Sequence, residues 1–337
     1  MPMGDTPGPD ACFPASGGVA PHAVLFDADG TDREVPLDQL DLDVRSERQL
    51  LWVDLQADNA RPWLERLGLG AATSALEDGR ERPRLQNFGD WFLVRVAAIA
   101  NPGALEVERQ WLTLVVGHNV VVTVHREPLE YLNELRDRER ADTRLGMLSA
   151  ERFTAAVLDW QMTTYFDAVA ALEAEVDRLE VQLLSRRFLR DQLPELAQLR
   201  RAASRLRHFL APHRGVYSAM ARPDFRPDAD DAVEAQFRAM NERFERSLDA
   251  VEAARDLVIG SFELFATRTA QRTNDTMRVL TFVTVLLGTL AVVAGVLGMN
   301  FDAPLFKTGQ RGFVTTVVAM AAVVVVAMVL ARWRRWW

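Results

Sequence analysis

The chain has 337 residues with 39 Lys and Arg against 47 Asp and Glu, a net charge of −8, 49% apolar residues and one cysteine. That length accommodates two or three folded units, and the acidic balance excludes nucleic acid as the natural partner, because a phosphate backbone attracts basic surfaces. The lone Cys12 excludes a disulfide framework and a multi-cysteine metal site, and it fits a reducing compartment.

Residues 1–20 are rich in Gly, Pro and Ala and hold Asp5 and Asp10. They have neither a basic start nor an apolar run, so they predict a disordered tail and not a secretory signal. Residues 21–145 read as a cytosolic α/β domain. Short strands are expected at 23–26 and 50–55 and a helix at 61–67. Segments 84–88 and 91–99 flank Gly89-Asp90, and 109–116 and 120–125 flank Gly117-His118-Asn119, which predicts two hairpins in a small mixed sheet.

After Pro128 the period changes. Helical spacing runs through 129–140, 150–188 and 193–221, giving a cytosolic helical subdomain over 146–225. In the second of these, Tyr165, Val169, Leu172, Val176, Leu179 and Leu183 step 4-3-4-3-4, a coiled-coil-like seam. Asp167, Glu173, Glu175, Asp177 and Glu180 form the other face, read as solvated, with cation sensing as the second reading.

No proline lies between Pro227 and Pro304, and Gly260 is the only glycine before the apolar run. A helix from about residue 230 to 297 would be roughly 100 Å long at 1.5 Å per residue. Residues 226–300 are therefore expected to form a stalk helix that continues into a first transmembrane helix. From Val279 to Leu297 the chain is uncharged, and nineteen residues span about 29 Å, close to a bilayer core of about 30 Å. A second uncharged run, 312–331, is long enough to return, with 301–311 as the external loop and 332–337 as a basic-aromatic tail.

Five basic residues after 278, against Asp302, leave this end at +4 and residues 1–278 at −12. Arg268, Arg272, Arg278, Arg332, Arg334 and Arg335 flank the two spans, whereas Lys307 and Arg311 sit in the loop. By the positive-inside rule both termini are cytoplasmic and the chain is a multi-pass protein of the inner (plasma) membrane. Trp333, Trp336 and Trp337 suit the headgroup level of the lipid bilayer.

Two helices cannot enclose water, so a path needs several copies around an axis. At 3.5-residue spacing Asn274, Met277, Thr281, Thr284, Gly288, Ala291 and Gly295 form one line of small, polar or flexible side chains, while bulky residues occupy the other faces. Helix packing is the alternative reading for Ala291 and Gly295, and back-bonding to the helix is the alternative for Thr281 and Thr284. The line runs from the amide of Asn274 to Gly298-Met299-Asn300, where Asn300 supplies a carbonyl oxygen and Gly298 permits a turn. A hydrated Mg2+ holds its waters tightly and can be bound through them by such oxygens. Met277 with Leu280 could close the path by dewetting.

No His or Cys follows His213, so the path offers oxygen and no nitrogen or sulfur ligands. No phosphate-binding loop of the Walker type occurs. His22, His118, His125, His208 and His213 are scattered without a nucleophile-and-base pattern, which argues against an enzyme.

The segment Thr273-Asn274-Asp275-Thr276-Met277-Arg278-Val279-Leu280-Thr281, the apolar run and Gly295-Val296-Leu297-Gly298-Met299-Asn300-Phe301, followed by a second span and a basic-aromatic tail, resemble the CorA superfamily of divalent-cation transporters. The resemblance implies an α+β cytosolic domain, a long stalk helix and two transmembrane helices in a homopentameric funnel. It also implies Gly298, Met299 and Asn300 as the selectivity mouth with Asp302 just outside. Asn274 matches the family's polar pore residue near the gate, beside Met277, Leu280 and Thr281, so Asn300 and Asn274 are the expected metal contacts. Glu263, below Asn274 on the same line, is a candidate regulatory ligand. The implied cargo is Mg2+ or Co2+, with Ni2+ a further candidate, driven by the electrochemical gradient and with no resident cofactor. Arg82-Pro83-Arg84 and Ala211-Pro212-His213-Arg214-Gly215-Val216-Tyr217 are similar to the ZntB zinc-transporter branch, which makes proton-coupled Zn2+ transport the runner-up. Lys307 and Arg311 make the outer loop net positive, a departure from the magnesium pattern. A membrane-anchored sensor or scaffold is the remaining alternative.

Overall fold

Alternating β-branched and aromatic runs in the N-terminal half form seven strands: β1 (His22–Asp27), β2 (Arg33–Glu34), β3 (Gln49–Gln56), β4 (Arg84–Asn87), β5 (Phe92–Ile99), β6 (Arg109–Gly117) and β7 (Val120–His125). The computed structural model describes residues 21–37, 48–77, 81–129, 131–132, 149–184, 192–227, 230–299 and 309–333. The expected tail at 1–20, most of the expected helix at 129–140, and Asn300 and Asp302 lie outside the described residues.

The sheet order is β2-β1-β3-β7-β6-β5-β4. β3 and β7 run parallel, with Leu51 opposite Val120, and the other described pairs are antiparallel. Both expected hairpins are present, so the sheet is mixed as the sequence predicts. The β6–β7 connection turns in two residues, since Gly117 pairs with Val120. Asn119 takes a φ of 55° there, a left-handed conformation that asparagine tolerates. A Cβ on Gly117 would lie 2.9 Å from Val120 Cγ1, which accounts for that glycine.

The two-residue period of β3 sends Leu51, Val53 and Leu55 to one face, where α1 (Ala60–Arg66) and α2 (Ala71–Glu77) cover them with Leu64, Leu67 and Ala72. Trp52 and Asp54 point to the other face, under α3 (Ala150–Leu184), whose Phe153 lies 5.8 Å from the Trp52 ring. The indole N–H of Trp52 donates to Thr123 Oγ1 at 3.0 Å, and Thr123 donates to Asp54 Oδ1 at 2.5 Å. His125 Nε2 stands 3.1 Å from the same carboxylate oxygen, so the buried polar groups of this face satisfy one another. Neither β2 nor α2 was expected: a two-residue strand and a seven-residue helix carry too little periodicity to read.

The seam residues Tyr165 to Leu183 of α3 are all buried. Asp167, Glu173 and Asp177 are exposed, and Glu175 is half-buried in a 2.7 Å ion pair with Arg178. The expected single helix over 193–221 is broken. It ends as α4 (Gln192–Leu210), gives one 3-10 turn (Ala211–His213) and restarts as α5 (Arg214–Met220). Pro212 is the cause, because it has no N–H to donate and its ring clashes with the preceding turn.

The break aims His213 at the sheet. Among the described residues β4 pairs with β5 only between Asn87–Phe92 and Arg84–Arg95, so the far half of the β5 edge has no described strand partner on that side. Helix side chains close it. The Ala97 N–H donates to His213 Nε2 at 2.8 Å, the Ala97 carbonyl accepts from Gln161 Nε2 at 2.5 Å and from the Tyr165 hydroxyl at 2.9 Å, and the Ile99 N–H donates to Thr164 Oγ1 at 3.1 Å. Tyr217 donates to Gln161 Oε1 at 2.5 Å. Burial pushes both phenols above their ordinary range, which keeps their protons available for donation.

Two long helices follow, α6 (Asp231–Leu297) and α7 (Gly309–Trp333). The chain divides into two compact units, one ending at Ile259 and one beginning at Gly260. In the first unit α6 buries Val233, Phe237, Met240, Phe244 and Val251, with Phe244 stacked 4.8 Å from the Tyr217 ring. In the second, both helices are long and apolar enough to cross a membrane.

Candidate functional site

The candidate residues lie along the C-terminal half of α6, which is continuous because 67 residues pass without a proline. Side chains advance about 100° per residue around such a helix. In the second unit Val279, Phe282, Leu286, Leu290 and Leu297 are half-buried and recur at steps of three, four and seven, which defines one side. On α7 the covered residues are Gly312, Thr316, Met320, Val324, Ala327 and Ala331, again at steps of three and four. The two helices share a cleft of about 600 Å³, walled by residues of α6 between 274 and 290 and by Val323 and Ala327 of α7.

The predicted line lies on the far side of α6 from these half-buried residues, although Asn274, Met277 and Thr281 at its start also border the cleft. Asn274, Met277, Leu280, Thr281, Thr284, Gly288, Ala291 and Gly295 are all exposed, Met277 at 59% and Leu280 at 61%. A Cβ at Gly288 or Gly295 would meet nothing within 4 Å. Packing inside the chain therefore does not require either glycine, and the small-residue line is not the seat of the second helix.

The line continues toward the first unit. Ala266, Ala270 and Thr273 are exposed on the same side as Asn274 and Met277. Ala270 was missed, although the same spacing counted backward from Asn274 reaches it on the way to Glu263. Glu263 is exposed. Arg268, Arg272 and Asp275 project from the other side of the helix, so the line carries amide, hydroxyl and apolar groups and no basic side chain between residues 263 and 277.

The Thr284 hydroxyl donates to the Leu280 carbonyl at 2.8 Å. The back-bonding alternative is thus met at this residue, and it has a chemical consequence. With its proton committed, the oxygen faces outward as an acceptor. Waters around a cation present hydrogens outward, so an acceptor is what a hydrated ion can use.

The helix closes at the predicted mouth. Gly298 N–H donates to Ala294 O at 2.9 Å and Met299 N–H to Val296 O at 3.3 Å, a tightening from α to 3-10 spacing. A Cβ on Gly298 would stand 3.3 Å from the Ala294 carbonyl oxygen, so the turn has little room for a side chain. Gly298 and Met299 are exposed, and Asn300 and Asp302 lie outside the described residues. Among the described residues no group of three or more His, Cys, Asp or Glu side chains could hold a metal ion.

The family profile described as CorA-like Mg2+ transporter protein matches residues 47–333. The chain belongs to this family. Members are transporters, so the chain is a membrane transporter of divalent metal cations and not an enzyme. The cobalt/magnesium transport protein CorA of Thermotoga maritima is 24% identical over 294 residues, covering 85% of this chain and 83% of the relative. The divalent cation transporter CmaX of Pseudomonas aeruginosa is 24% identical over 322 residues, covering 94% and 96%. Among solved structures, full-length CmaX superposes with a TM-score of 0.70 at 24% identity, covering 96% of this chain and all of that one. The CorA magnesium transporter of Methanocaldococcus jannaschii gives 0.71 at 18% identity, covering 94% and 98%. The ZntB cytoplasmic domain of Vibrio parahaemolyticus gives 0.58 at 11% identity, covering 74% and 98%. The CorA fold thus spans both units, with its α/β domain, long helix and two apolar helices.

Proposed function

We propose that copies of this chain, five by resemblance to the family, surround an axial path lined by the exposed side of α6 and conduct hydrated Mg2+ or Co2+ inward. Gly298, Met299 and Asn300 form the selecting mouth, Asp302 attracts cations to it, Asn274 contacts the ion near the inner end, and Met277 with Leu280 closes the path when dry. Glu263 is the candidate regulatory ligand. Both termini lie in the cytoplasm of a cell bounded by this membrane.

One observation carries the reading: the line is exposed throughout, and from Thr284 to Gly295 it stands opposite the half-buried side and outside the cleft that Asn274, Met277 and Thr281 border. A membrane helix that leaves glycine, alanine and threonine uncovered over about 30 Å has close approach of other copies, or water, as the use for that side. At 100 mV the inside-negative potential contributes roughly 4–5 kcal/mol to each divalent ion, so no nucleotide-driven step is needed.

Proton-coupled Zn2+ transport is the second reading, supported by the Ala211–Tyr217 segment, whose His213 bonds to β5 and whose Tyr217 bonds to Gln161 of α3, in a domain of shared fold with ZntB. The two readings separate in proteoliposomes given Mg2+, Co2+, Ni2+ or Zn2+ with and without a proton gradient. Mg2+ and Co2+ uptake that follows the membrane potential supports the first. Zn2+ uptake that requires the proton gradient, with Mg2+ immobile, replaces it with the second. Asn300→Ala is expected to abolish uptake while assembly persists; unchanged uptake would remove Asn300 from the selecting mouth.

A further inference from the structure

β7 ends on a histidine whose two ring nitrogens both face acceptors. His125 is buried, with its side chain 3% exposed. Its Nδ1 lies 2.7 Å from the Glu127 carbonyl oxygen, and its Nε2 lies 3.1 and 3.2 Å from the two carboxylate oxygens of Asp54 on the neighbouring β3. A neutral imidazole has one N–H, so it can serve one of these contacts and turns a lone pair toward the other. A chain of donors holds the Asp54 end as an anion. The Trp52 N–H can only donate, and Thr123 Oγ1 accepts it at 3.0 Å. The Thr123 proton is then left for Asp54 Oδ1 at 2.5 Å, in preference to the Val53 carbonyl at 3.4 Å. Burial works against any charge, but it works against a lone Asp54 carboxylate as well, and removing one partner of a buried pair is strongly destabilising.

We infer that His125 is an imidazolium in the folded protein, joined to the Asp54 carboxylate as a buried ion pair, and that it makes the exit of β7 a clamp that opens in alkali. The other titratable groups on the surrounding elements are engaged with partners of their own. β6 sets Leu112 opposite His125, and β1 sets His22 opposite Asp54, with the His22 ring 3.8 Å from Glu34. Past β7, Arg126 reaches Glu81, the Glu127 carboxylate accepts from Gln110, and Tyr131 stacks on Trp160. On α3, which covers this face, Glu151, Arg152 and Asp159 pair with Arg226, Asp230 and Arg243. The folded chain therefore holds the His125 proton more tightly than the unfolded chain does. The stability this adds is fully present below about pH 6.5, the ordinary imidazole value, and is lost as pH rises through the higher folded value. Without the second proton a ring lone pair faces either the Glu127 carbonyl or the Asp54 carboxylate, and one contact breaks. β3 and β7 remain paired through their backbones at Gln56 and His125, so what loosens is the turn that leaves the sheet at Glu127.

The test is nitrogen-15 solid-state NMR of the full chain in lipid bilayers, labelled at histidine. At pH 8 an ordinary imidazole is about 3% charged, and His213, whose Nε2 accepts from the Ala97 N–H, is neutral. One ring with both nitrogens protonated is expected at that pH, absent in His125→Gln and retained in His22→Gln, which removes the ring beside Glu34. If His125→Gln does not assemble, the His22→Gln spectrum makes the assignment. In Asp54→Asn the titration midpoint of this ring should fall by at least about one pH unit, a change that a histidine serving only to fill space would not show. The inference is overturned if no ring carries two protons at pH 8, if the doubly protonated ring vanishes with His22→Gln, or if Asp54→Asn leaves its midpoint unchanged.

Discussion

His213 makes the joint between sheet and helices an acid-sensitive one. It is fully buried, its Nε2 accepts from Ala97 N–H at 2.8 Å, and its Nδ1–H donates to the Leu210 carbonyl at 3.1 Å, an arrangement that requires the neutral ring. Burial lowers its pKa from 6.5 to about 4. The unfolded chain therefore binds the proton first, and folding stability rises with pH between these values. The contribution is fully present above about pH 6.5, is lost as pH falls, and levels off below about pH 4. A drop from 6.5 to about 4 corresponds to about 3 kcal/mol in total, of which about 2 kcal/mol is already lost at pH 5. For a unit of this size that is on the order of 4–8 °C in Tm. The assay is thermal unfolding of the first unit, followed by tyrosine and tryptophan fluorescence, between pH 7.5 and 4.5 in wild type and His213→Gln. Glutamine can keep an acceptor near Ala97 but cannot titrate. Carboxylates act equally in both proteins, so the variant should lose about 2 kcal/mol less than wild type on going from pH 7.5 to 5. Parallel losses in the two would refute the reasoning.

Gly288→Leu should leave the hairpin folded, because a Cβ there meets nothing in the chain, yet should cut ion uptake by at least about tenfold through the bulk added in every copy, about 1.4 kcal/mol in barrier terms; unchanged flux at equal protein in the membrane would remove Gly288 from the path. Gly298→Val, with its Cβ 3.3 Å from Ala294 O, should cost on the order of 1 kcal/mol in helix-end distortion and reduce uptake without reducing the amount of assembled protein on native gels. Tyr217→Phe removes the donor to Gln161 Oε1 and should destabilise the first unit by about 1–3 kcal/mol, read as a lower urea midpoint; a midpoint within error of wild type would show that the Gln161 amide finds another partner.

Much of this molecule was legible along the chain. The lengths 279–297 and 312–331 match what a bilayer requires, and the observed helices contain both. The β-hairpins and the mixed sheet follow from turn residues set between alternating runs, and the 4-3-4-3-4 seam of α3 is buried at every position. The residues of the candidate line were legible too, because small side chains repeat with the helix period. Less readable was the function of Ala211–Tyr217, which resembles a family segment in sequence but whose task depends on the strand it faces.

Periodicity determined which residues share a side of α6, since a helix fixes angles between its own side chains. Only the tertiary structure decided which side α7 leaves uncovered, because two packing orientations of the same hairpin have the same sequence pattern. In the same way the break at Pro212 was passed over in the reading of one helix across 193–221, and its purpose is visible only in three dimensions. β4 stops at Arg84, the edge of β5 is left with unpaired backbone groups, and those groups, costly to bury alone, draw His213, Gln161, Thr164 and Tyr165 onto them.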